Sequence, residues 1–274
     1  MTGDEAGIAV HSFRPASMSL RHLFTLVPAT IGLTACASMG TRDALVSDRP
    51  DFTEATVLVD PGHVQVESGS TFSREGDTRS TSFGEVLMRT GLASKVELRL
   101  SANSFVQERA GDELRNGMQD ATVGFKFKLA DGPEGPSWKP ALSVITHTSV
   151  PSGARVFRAQ RAQPEVKVLG AWTLSDRVAF SSNVNVARPH DGVRSFTEYA
   201  GSGSFGFAAS GRVGVYAEAF AFAPQDGSKV VSKFVNSGFT FLFSPDVQLD
   251  VRGGVGPSAA KRDYFAGVGL VVRR

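Results

Sequence analysis

Apolar and polar residues alternate one by one along much of the chain after Gly62. Between residues 120 and 129, for example, every odd-numbered residue is apolar and every even-numbered residue is polar or glycine. The same alternation recurs at 95–105, 177–187 and 247–255. A period of two is typical of a β-strand with two different faces, and no window sustains the 3.6-residue period of a helix. The pattern therefore predicts an all-β protein.

About twelve such segments follow one another, and most have the 9–11 residues that a tilted strand needs to cross a bilayer. The predicted strands are 63–72, 81–90, 95–105, 119–129, 138–150, 163–173, 177–187, 196–208, 212–222, 231–243, 247–256 and 263–273. A soluble β-sandwich shows the same alternation and is the alternative interpretation.

The predicted connections alternate in length, which separates the two interpretations. Tight turns are predicted at 91–94, 174–176, 210–211 and 244–246, and longer polar loops at 106–118, 151–162, 188–195 and 223–230. The connection 130–137 is longer than the other turns of its class. Short turns on one side and long loops on the other are typical of a transmembrane antiparallel up-and-down β-barrel, with the short turns periplasmic. We expect this fold.

In a barrel of this kind the apolar face of each strand contacts lipid and the polar face lines the interior. Both signs of charge occur on the polar face, so many of these side chains are expected to pair across neighbouring strands. The predicted lumen-lining residues are Glu67, Glu85, Arg89, Glu97, Arg99, Lys126, Lys128, Glu165, Lys167, Arg177, Glu198, Arg212, Glu218, Asp250 and Arg252.

The N-terminal residues are predicted to be processing signals. The run 23–35 is mostly apolar and too short to span a bilayer as a helix, so 18–37 is interpreted as a signal peptide and 1–17 as a mis-annotated extension. Leu33-Thr34-Ala35-Cys36 matches a bacterial lipobox, which would lipidate Cys36, but ordinary signal peptidase also accepts this site. Residues 38–61 then form a polar periplasmic segment and 62–274 the barrel.

Composition removes several function classes. Lys and Arg total 29 against 27 Asp and Glu, a net charge of +2, which does not favour a nucleic-acid partner. The single Cys excludes an internal disulfide and a cysteine-ligated zinc site. His63 and His190 have no partners at ligand spacing, so no metal or other cofactor is predicted. The 20 Phe, against 2 Trp and 3 Tyr, are expected to act as interfacial anchors.

Several motifs resemble the family of outer-membrane transporters named after the MetA pathway of phenol degradation. The resemblance rests on Ser47-Asp48-Arg49-Pro50-Asp51-Phe52-Thr53-Glu54 and Gly62-His63-Val64-Gln65-Val66-Glu67-Ser68-Gly69, and then in order on 87–92, 96–99, 123–126, 150–153, 249–250 and 263–269. It implies a β-barrel in the bacterial outer membrane that passes small molecules, aromatic or hydrophobic ones among them. The implied partners are lipid, lipopolysaccharide and the barrel-assembly machinery. Such barrels usually end in an aromatic residue, whereas this chain ends Val272-Arg273-Arg274.

Two motifs suggest other chemistry. His147 and Ser149 share a strand face at the spacing that barrel acyl hydrolases use for base and nucleophile, but no third group can be assigned from the sequence. The run 201–206 spells a dinucleotide fingerprint, yet strand continues on both sides instead of a helix. Arg155, Arg158 and Arg161 occupy one loop without an acid, which suits either contact with lipopolysaccharide or simple solvation.

The polar segment before the first strand contains Asp48, Arg49 and Glu54. It is either a plug inside the barrel or a linker beneath it. The sequence thus predicts a non-enzymatic channel for passive diffusion of small molecules. The alternatives are a structural or ligand-binding barrel without transport and, as a minor one, an acyl hydrolase using His147 and Ser149.

Overall fold

The computed structural model describes residues 43–228, 230–256 and 263–274. Their regular structure is entirely β. The strands are β1 (Val64–Glu75), β2 (Thr78–Ala93), β3 (Val96–Ala102), β4 (Phe105–Ala110), β5 (Glu113–Met118), β6 (Ala121–Ala130), β7 (Ala141–Val150), β8 (Gln163–Thr173), β9 (Val178–Ala187), β10 (Glu198–Ala208), β11 (Val213–Pro224), β12 (Ser232–Ser244), β13 (Val247–Gly256) and β14 (Asp263–Arg273).

The strands form one antiparallel sheet that closes on itself. β1 pairs with β2 on one side and with β14 on the other, so the first and last strands meet. Twelve strands complete the circle, and β4 and β5 extend from it beside β2. Closure leaves no free edge around the barrel, which is what permits a sheet to stand in lipid. The predicted fold is confirmed, including about twelve strands in the wall.

The predicted polar loop 106–118 is wrong, because these residues form the hairpin of β4 and β5. β4 continues the register of β3 against β2, and β5 likewise continues β6. Each pair is therefore one long strand interrupted by two residues, 103–104 in the first and 119–120 in the second. Gly111, with φ of 59°, forms the tight turn at the tip. The loop's polar composition reflects exposure above the barrel rather than irregular structure.

The two faces of the wall differ as the alternation predicts. On β9, Asn183 and Asn185 are buried inside while Val184 and Val186 are exposed on the outer face. On β6, Lys126 is fully buried and its neighbours Val123 and Phe125 are exposed outside. An apolar exterior around a polar interior is the reverse of a soluble protein, and it is the arrangement of a membrane barrel.

The connections differ between the two ends of the barrel. At the end that holds the first residue of β1 and the last of β14, the connections are 94–95, 131–140, 174–177, 209–212 and 245–246. At the other end, loops 151–162, 188–197 and 225–231 are long, and β1 and β2 are joined by the tight turn Gly76-Asp77. The long connection in the short-turn class, predicted at 130–137, is present at 131–140.

The predicted extension 1–17, the signal peptide 18–37 and Cys36 lie outside the described residues. Across the described ranges, no helix has the length and apolar character that a membrane-spanning helix requires.

Candidate functional site: a charged segment inside the barrel

Residues 43–61 are called here the internal segment; its two ends are exposed and the part between Leu45 and Val59 lies inside the barrel. Their side chains and backbone contact residues of β1, β2, β3, β6, β7, β8, β10, β11 and β13. A segment that touches nine strands around a closed sheet can do so only from within. Ser143 of β7, for instance, donates to the carbonyl of Thr56 at 2.7 Å, and Glu218 of β11 accepts from the Thr53 N–H at 2.6 Å.

Asp48 is the centre of a buried charge cluster. Its carboxylate lies 3.0 Å from Lys126 Nζ, 2.5 Å from Arg99 Nη1 and 3.5 Å from Arg89 Nη1. These four side chains are at most 5% exposed. Three strands of the wall thus present a cation to one carboxylate of the internal segment.

The cluster continues into two further carboxylates of the wall. Arg89 Nη1 lies 2.9 Å from Glu67 Oε1, and Arg89 Nε lies 2.9 Å from Glu97 Oε1. Arg89 Nη2 also donates to the carbonyl of Val57 at 2.9 Å. A buried charge is tolerable only when it is paired and hydrogen-bonded, and here the pairing includes the backbone of the internal segment.

The surrounding cations determine the ionisation of Asp48. Burial by itself would raise the pKa of this carboxyl, but the charges of Arg89, Lys126 and Arg99 outweigh burial and hold its pKa below the usual range. Asp48 is therefore an anion near neutral pH, and its removal would leave Lys126 without a carboxylate partner among the described residues.

Arg49 is held by a second set of acids. Its Nη1 lies 2.8 Å from Glu85 Oε2 and its Nε lies 3.3 Å from Asp250 Oδ2. The guanidinium rests on Gly69 and Gly269, which pair across β1 and β14. A Cβ at either glycine would overlap atoms of the guanidinium. Arg49 can therefore lie here only because neither residue of this pair carries a side chain.

Two more contacts fix the second half of the internal segment. The Glu218 carboxylate accepts from the N–H groups of Phe52 and Thr53 at 2.9 and 2.6 Å. Glu54 Oε1 lies 3.2 Å from Arg99 Nη2 and 3.5 Å from Lys167 Nζ. Together with Asp48 and Arg49, Glu54 is thus paired with charged residues of the wall.

The internal segment separates two cavities of the lumen. One, of about 500 Å³, lies toward the short turns and is lined by Arg49, Asp51 and residues of β8–β11. The other, of about 440 Å³, lies toward the long loops and is lined by Asp51, Phe52, Glu54 and several wall residues. Asp51 borders both cavities. A route between them would pass beside this residue.

The second cavity is lined by aromatic rings, although the abundance of Phe predicts rings at the membrane interface. Phe220, Phe222, Phe234 and Phe265 point inward, and Phe52 of the internal segment stacks on Phe220 with ring centroids 4.7 Å apart. The signal for this arrangement is present in the alternation. Phe220 and Phe222 have the same parity on β11 as Glu218, which contacts the internal segment.

The predicted lumen-lining residues occupy three kinds of position. Those in contact with the internal segment through hydrogen bonds or ion pairs are Glu67, Glu85, Arg89, Glu97, Arg99, Lys126, Lys167, Glu218, Asp250 and Arg252. Glu165 lies inside but pairs with His147. The remaining residues, Lys128, Glu198, Arg177 and Arg212, lie at the ends of the barrel.

At the ends, solvent replaces the partners found in the middle. Arg177 and Arg212 are exposed in the turns before β9 and β11 instead of standing in the wall, and Lys128 pairs with the exposed Asp131. Glu198 is the first residue of β10. β9 and β11 begin one residue later than predicted.

His147 has a partner that the alternation along its own strand does not reveal. Its Nε2 lies 2.6 Å from Glu165 Oε2 on the neighbouring strand β8. Ser149 pairs in register with Gln163. No hydrogen bond joins His147 to Ser149 among the residues described. His147 and Glu165 therefore form a pair to which Ser149 is not hydrogen-bonded in the described part of the chain.

The arginine loop 151–162 is tied to the barrel by one acid. The Asp120 carboxylate accepts from the N–H groups of Ser152, Gly153 and Ala159 at 3.0, 2.8 and 2.8 Å. Arg155 and Arg158 of this loop border a cavity of about 570 Å³ at the long-loop end. The loop therefore has a defined shape at that end.

A family model described as the putative MetA-pathway of phenol degradation matches residues 47–273. The chain belongs to this family. The match covers most of the internal segment and the whole barrel. The family therefore includes both the segment and the barrel. The resemblance of its motifs is thereby confirmed. No curated protein sequence matches the chain.

Two solved structures share the fold of this family member. An outer membrane channel from Pseudomonas putida F1 is 12% identical, with a TM-score of 0.59, and the alignment covers 82% of this chain and 99% of that one. The NanC porin is 8% identical with a TM-score of 0.52, and the alignment covers 76% of this chain and 98% of that one. At these identities the likeness concerns the barrel itself.

Proposed function

We propose that this protein is a channel of the bacterial outer membrane that passes small molecules by diffusion, aromatic or hydrophobic ones among them. The long loops would face the exterior and the short turns the periplasm. Support comes from the closed barrel with its apolar exterior, from the family and from the channel and porin that share the fold. The observation that carries the proposal is the pair of lumen cavities that meet at Asp51 of the internal segment.

In this proposal the internal segment is a plug. Each end of the lumen already holds a cavity, residues 48–54 lie between the two, and Asp51 borders both. Most of their contacts with the wall are hydrogen bonds and ion pairs, and Phe52 adds ring contacts with Phe220 and Phe222. The polar contacts can exchange with water, so displacement of the segment requires only the contacts of one ring to be lost from the apolar side.

Conductance in a planar bilayer tests the channel. The wild type is expected to conduct little, and deletion of 40–58 is expected to raise conductance several-fold because the partition is removed. Heat-modifiable gel mobility of the deletion variant checks that the barrel still closes. Asp43→Asn, on an exposed residue at the start of the segment, is the matched control and should conduct as the wild type does.

The two alternatives give other results. A structural or ligand-binding barrel would conduct in neither form, even when the deletion variant is shown to be closed. The acyl hydrolase is favoured by one observation, the short His147–Glu165 contact. It requires hydrolysis of an acyl ester that Ser149→Ala abolishes, and wild-type protein without such activity ends that idea.

A further inference from the structure

Five phenylalanine rings form a cup in the lumen, on the long-loop side of the internal segment. Phe220 is stacked between Phe52 and Phe234, at centroid distances of 4.7 and 5.0 Å. Phe222 meets Phe52 edge to face at 5.2 Å, and Phe265 lies 6.4 Å from Phe220. These five residues are called the aromatic cup. Apolar rings facing the polar interior of a barrel need a reason other than contact with lipid.

The cup lines an open space of the size that small ligands occupy. The cavity measures about 440 Å³, and ligand sites typically lie at roughly 300–1,000 Å³. All five rings border it, so the walls are aromatic on one side and polar on the other. An aromatic wall that faces polar and charged groups suits a ligand that has an apolar ring at one end and a polar group at the other.

Two cations border the cup and retain unused donors. Lys167 Nζ lies 5.9 Å from the Phe52 ring centre, and its nearest acids are Glu54 at 3.5 Å and Glu165 at 4.0 Å. It makes no hydrogen bond within the described residues. Arg252 lies 5.7 Å from the Phe265 ring centre. Its two terminal nitrogens are bonded to Pro50 and Thr71, but its Nε has no partner in the described part of the chain.

We infer that the aromatic cup binds a small monocyclic aromatic carboxylate, with the ring against Phe52 and Phe222 and the carboxylate on Lys167. Ring-on-ring packing supplies the apolar contact, and the ammonium supplies the charge-assisted hydrogen bond. This inference rests on the proposed function in that the site lies on the route through the lumen. It names the solute class that the route favours.

Among the described residues, four acids border the cavity: Asp48, Asp51, Glu54 and Glu75. Asp48 is paired with Arg99 and Lys126, and Glu75 is exposed at the end of β1. Glu54 is partly neutralised by Arg99 and Lys167. Burial, together with the charge of Glu218, raises the pKa of Asp51 to about 8, so Asp51 is mostly neutral at pH 7. A single carboxylate therefore meets a cation without strong repulsion, whereas a dicarboxylate would meet the remaining acids.

Calorimetric titration of the full chain in detergent micelles with benzoate tests the inference. Benzoate is expected to bind, and cyclohexanecarboxylate and benzyl alcohol are each expected to bind at least about fivefold more weakly because one lacks the aromatic ring and the other the charge. Equal affinity for either analogue overturns the assignment of an aromatic carboxylate.

Three variants locate the binding. Phe222→Leu should weaken benzoate binding about fivefold, and Lys167→Met about tenfold or more. Phe205→Leu is the matched control, since Phe205 is exposed on the outer face, and it should leave binding unchanged. An equal loss in Phe205→Leu means that benzoate partitions onto the exterior, and this overturns the cup.

Heat-modifiable gel mobility verifies that each variant forms a closed barrel. If Phe222→Leu does not close, Phe234→Leu takes its place. The titration with benzoate does not depend on conductance. If deletion of 40–58 raises conductance but the full chain binds no benzoate, the cup is overturned and the channel proposal stands. If the full chain binds benzoate but the closed deletion variant does not conduct, the cup is supported and the channel is contradicted.

Discussion

Arg49 Nη1 on the internal segment lies 2.8 Å from Glu85 Oε2 in the barrel wall. Glu85 stands at an irregularity of β2, where its φ is 39° and that of Gly84 is 95°. The pairing of β1 with β2 shifts by one residue at this point. Bulges of this kind redirect a side chain, and here the redirected carboxylate reaches into the lumen and meets the guanidinium.

Gly69 and Gly269, the glycine pair beneath Arg49, should matter for the position of the internal segment as much as Glu85 and Asp250 do. Gly269→Ala places a methyl group where the guanidinium lies, so Arg49 must leave Asp250 or Glu85. We expect conductance to rise at least about twofold, because the ion pairs of Arg49 are largely buried and losing one of them weakens the hold of the wall on the segment. Bilayer recordings check this.

Gly206→Ala is the control for that experiment, because a Cβ at Gly206 meets nothing within 4 Å. If Gly206→Ala and Gly269→Ala raise conductance equally, the effect does not come from Arg49.

Asp48→Ala is expected to destabilise the barrel and to open the lumen. Removal of this carboxylate leaves Arg99, Lys126 and Arg89 facing one another in a buried site, and breaking a buried pair costs about 3–5 kcal/mol. The temperature at which the heat-modifiable band is lost should fall, and conductance should rise. Asp60→Ala, on an exposed residue of the same segment, is the control, and equal losses in both variants would contradict the role of the cluster.

Asp51 should make stability depend on pH. Its pKa is about 8 in the folded barrel against an ordinary 3.8, so between these values the folded state holds the proton that the unfolded state has lost. The contribution of Asp51 to stability is therefore largest below pH 4 and is lost as pH rises through 8.

Asp51→Asn removes this dependence. The variant should resemble the wild type at about pH 5 and lose its heat-modifiable form at a higher temperature than the wild type at about pH 9. If the temperature at which the heat-modifiable form is lost differs between wild type and variant by the same amount at both pH values, Asp51 does not titrate in this range.

Asp120 should protect the arginine loop from proteolysis. Its carboxylate accepts three backbone N–H groups of 152–159, and charged hydrogen bonds contribute more than neutral ones. We expect Asp120→Ala to raise the rate of tryptic cleavage at Arg155, Arg158 and Arg161 about tenfold or more. Asp112→Ala at the exposed hairpin tip should not change it, and cleavage that is fast in the wild type would contradict the ordered loop.

The strands and their two faces could be predicted from the sequence because they depend on local alternation. A residue and its second neighbour share a face whatever lies opposite, so Glu218 and Lys126 could be placed inside from their own strands. Alternation also applies to Phe220 and Phe222. The expectation that the Phe residues anchor the barrel at the membrane interface overlooks that these two side chains point inward.

Hairpin β4–β5 shows where local patterns fail. Its residues are largely polar and mostly exposed on both faces, so alternation carries no information there. β4 is a strand because it continues the pairing of β3 with β2 in the same register.

Closure of the barrel determines which residues of the site come into contact. Arg49 and Asp250 are separated by 201 positions, and they meet because β13 and β14 close against β1 and bring the far end of the chain around the internal segment. The sequence by itself determined the strands, their faces and the presence of charge on the inner one. Only the tertiary structure decided which charges pair and where the rings gather, because those contacts depend on the curvature of the closed sheet and not on any periodicity along it.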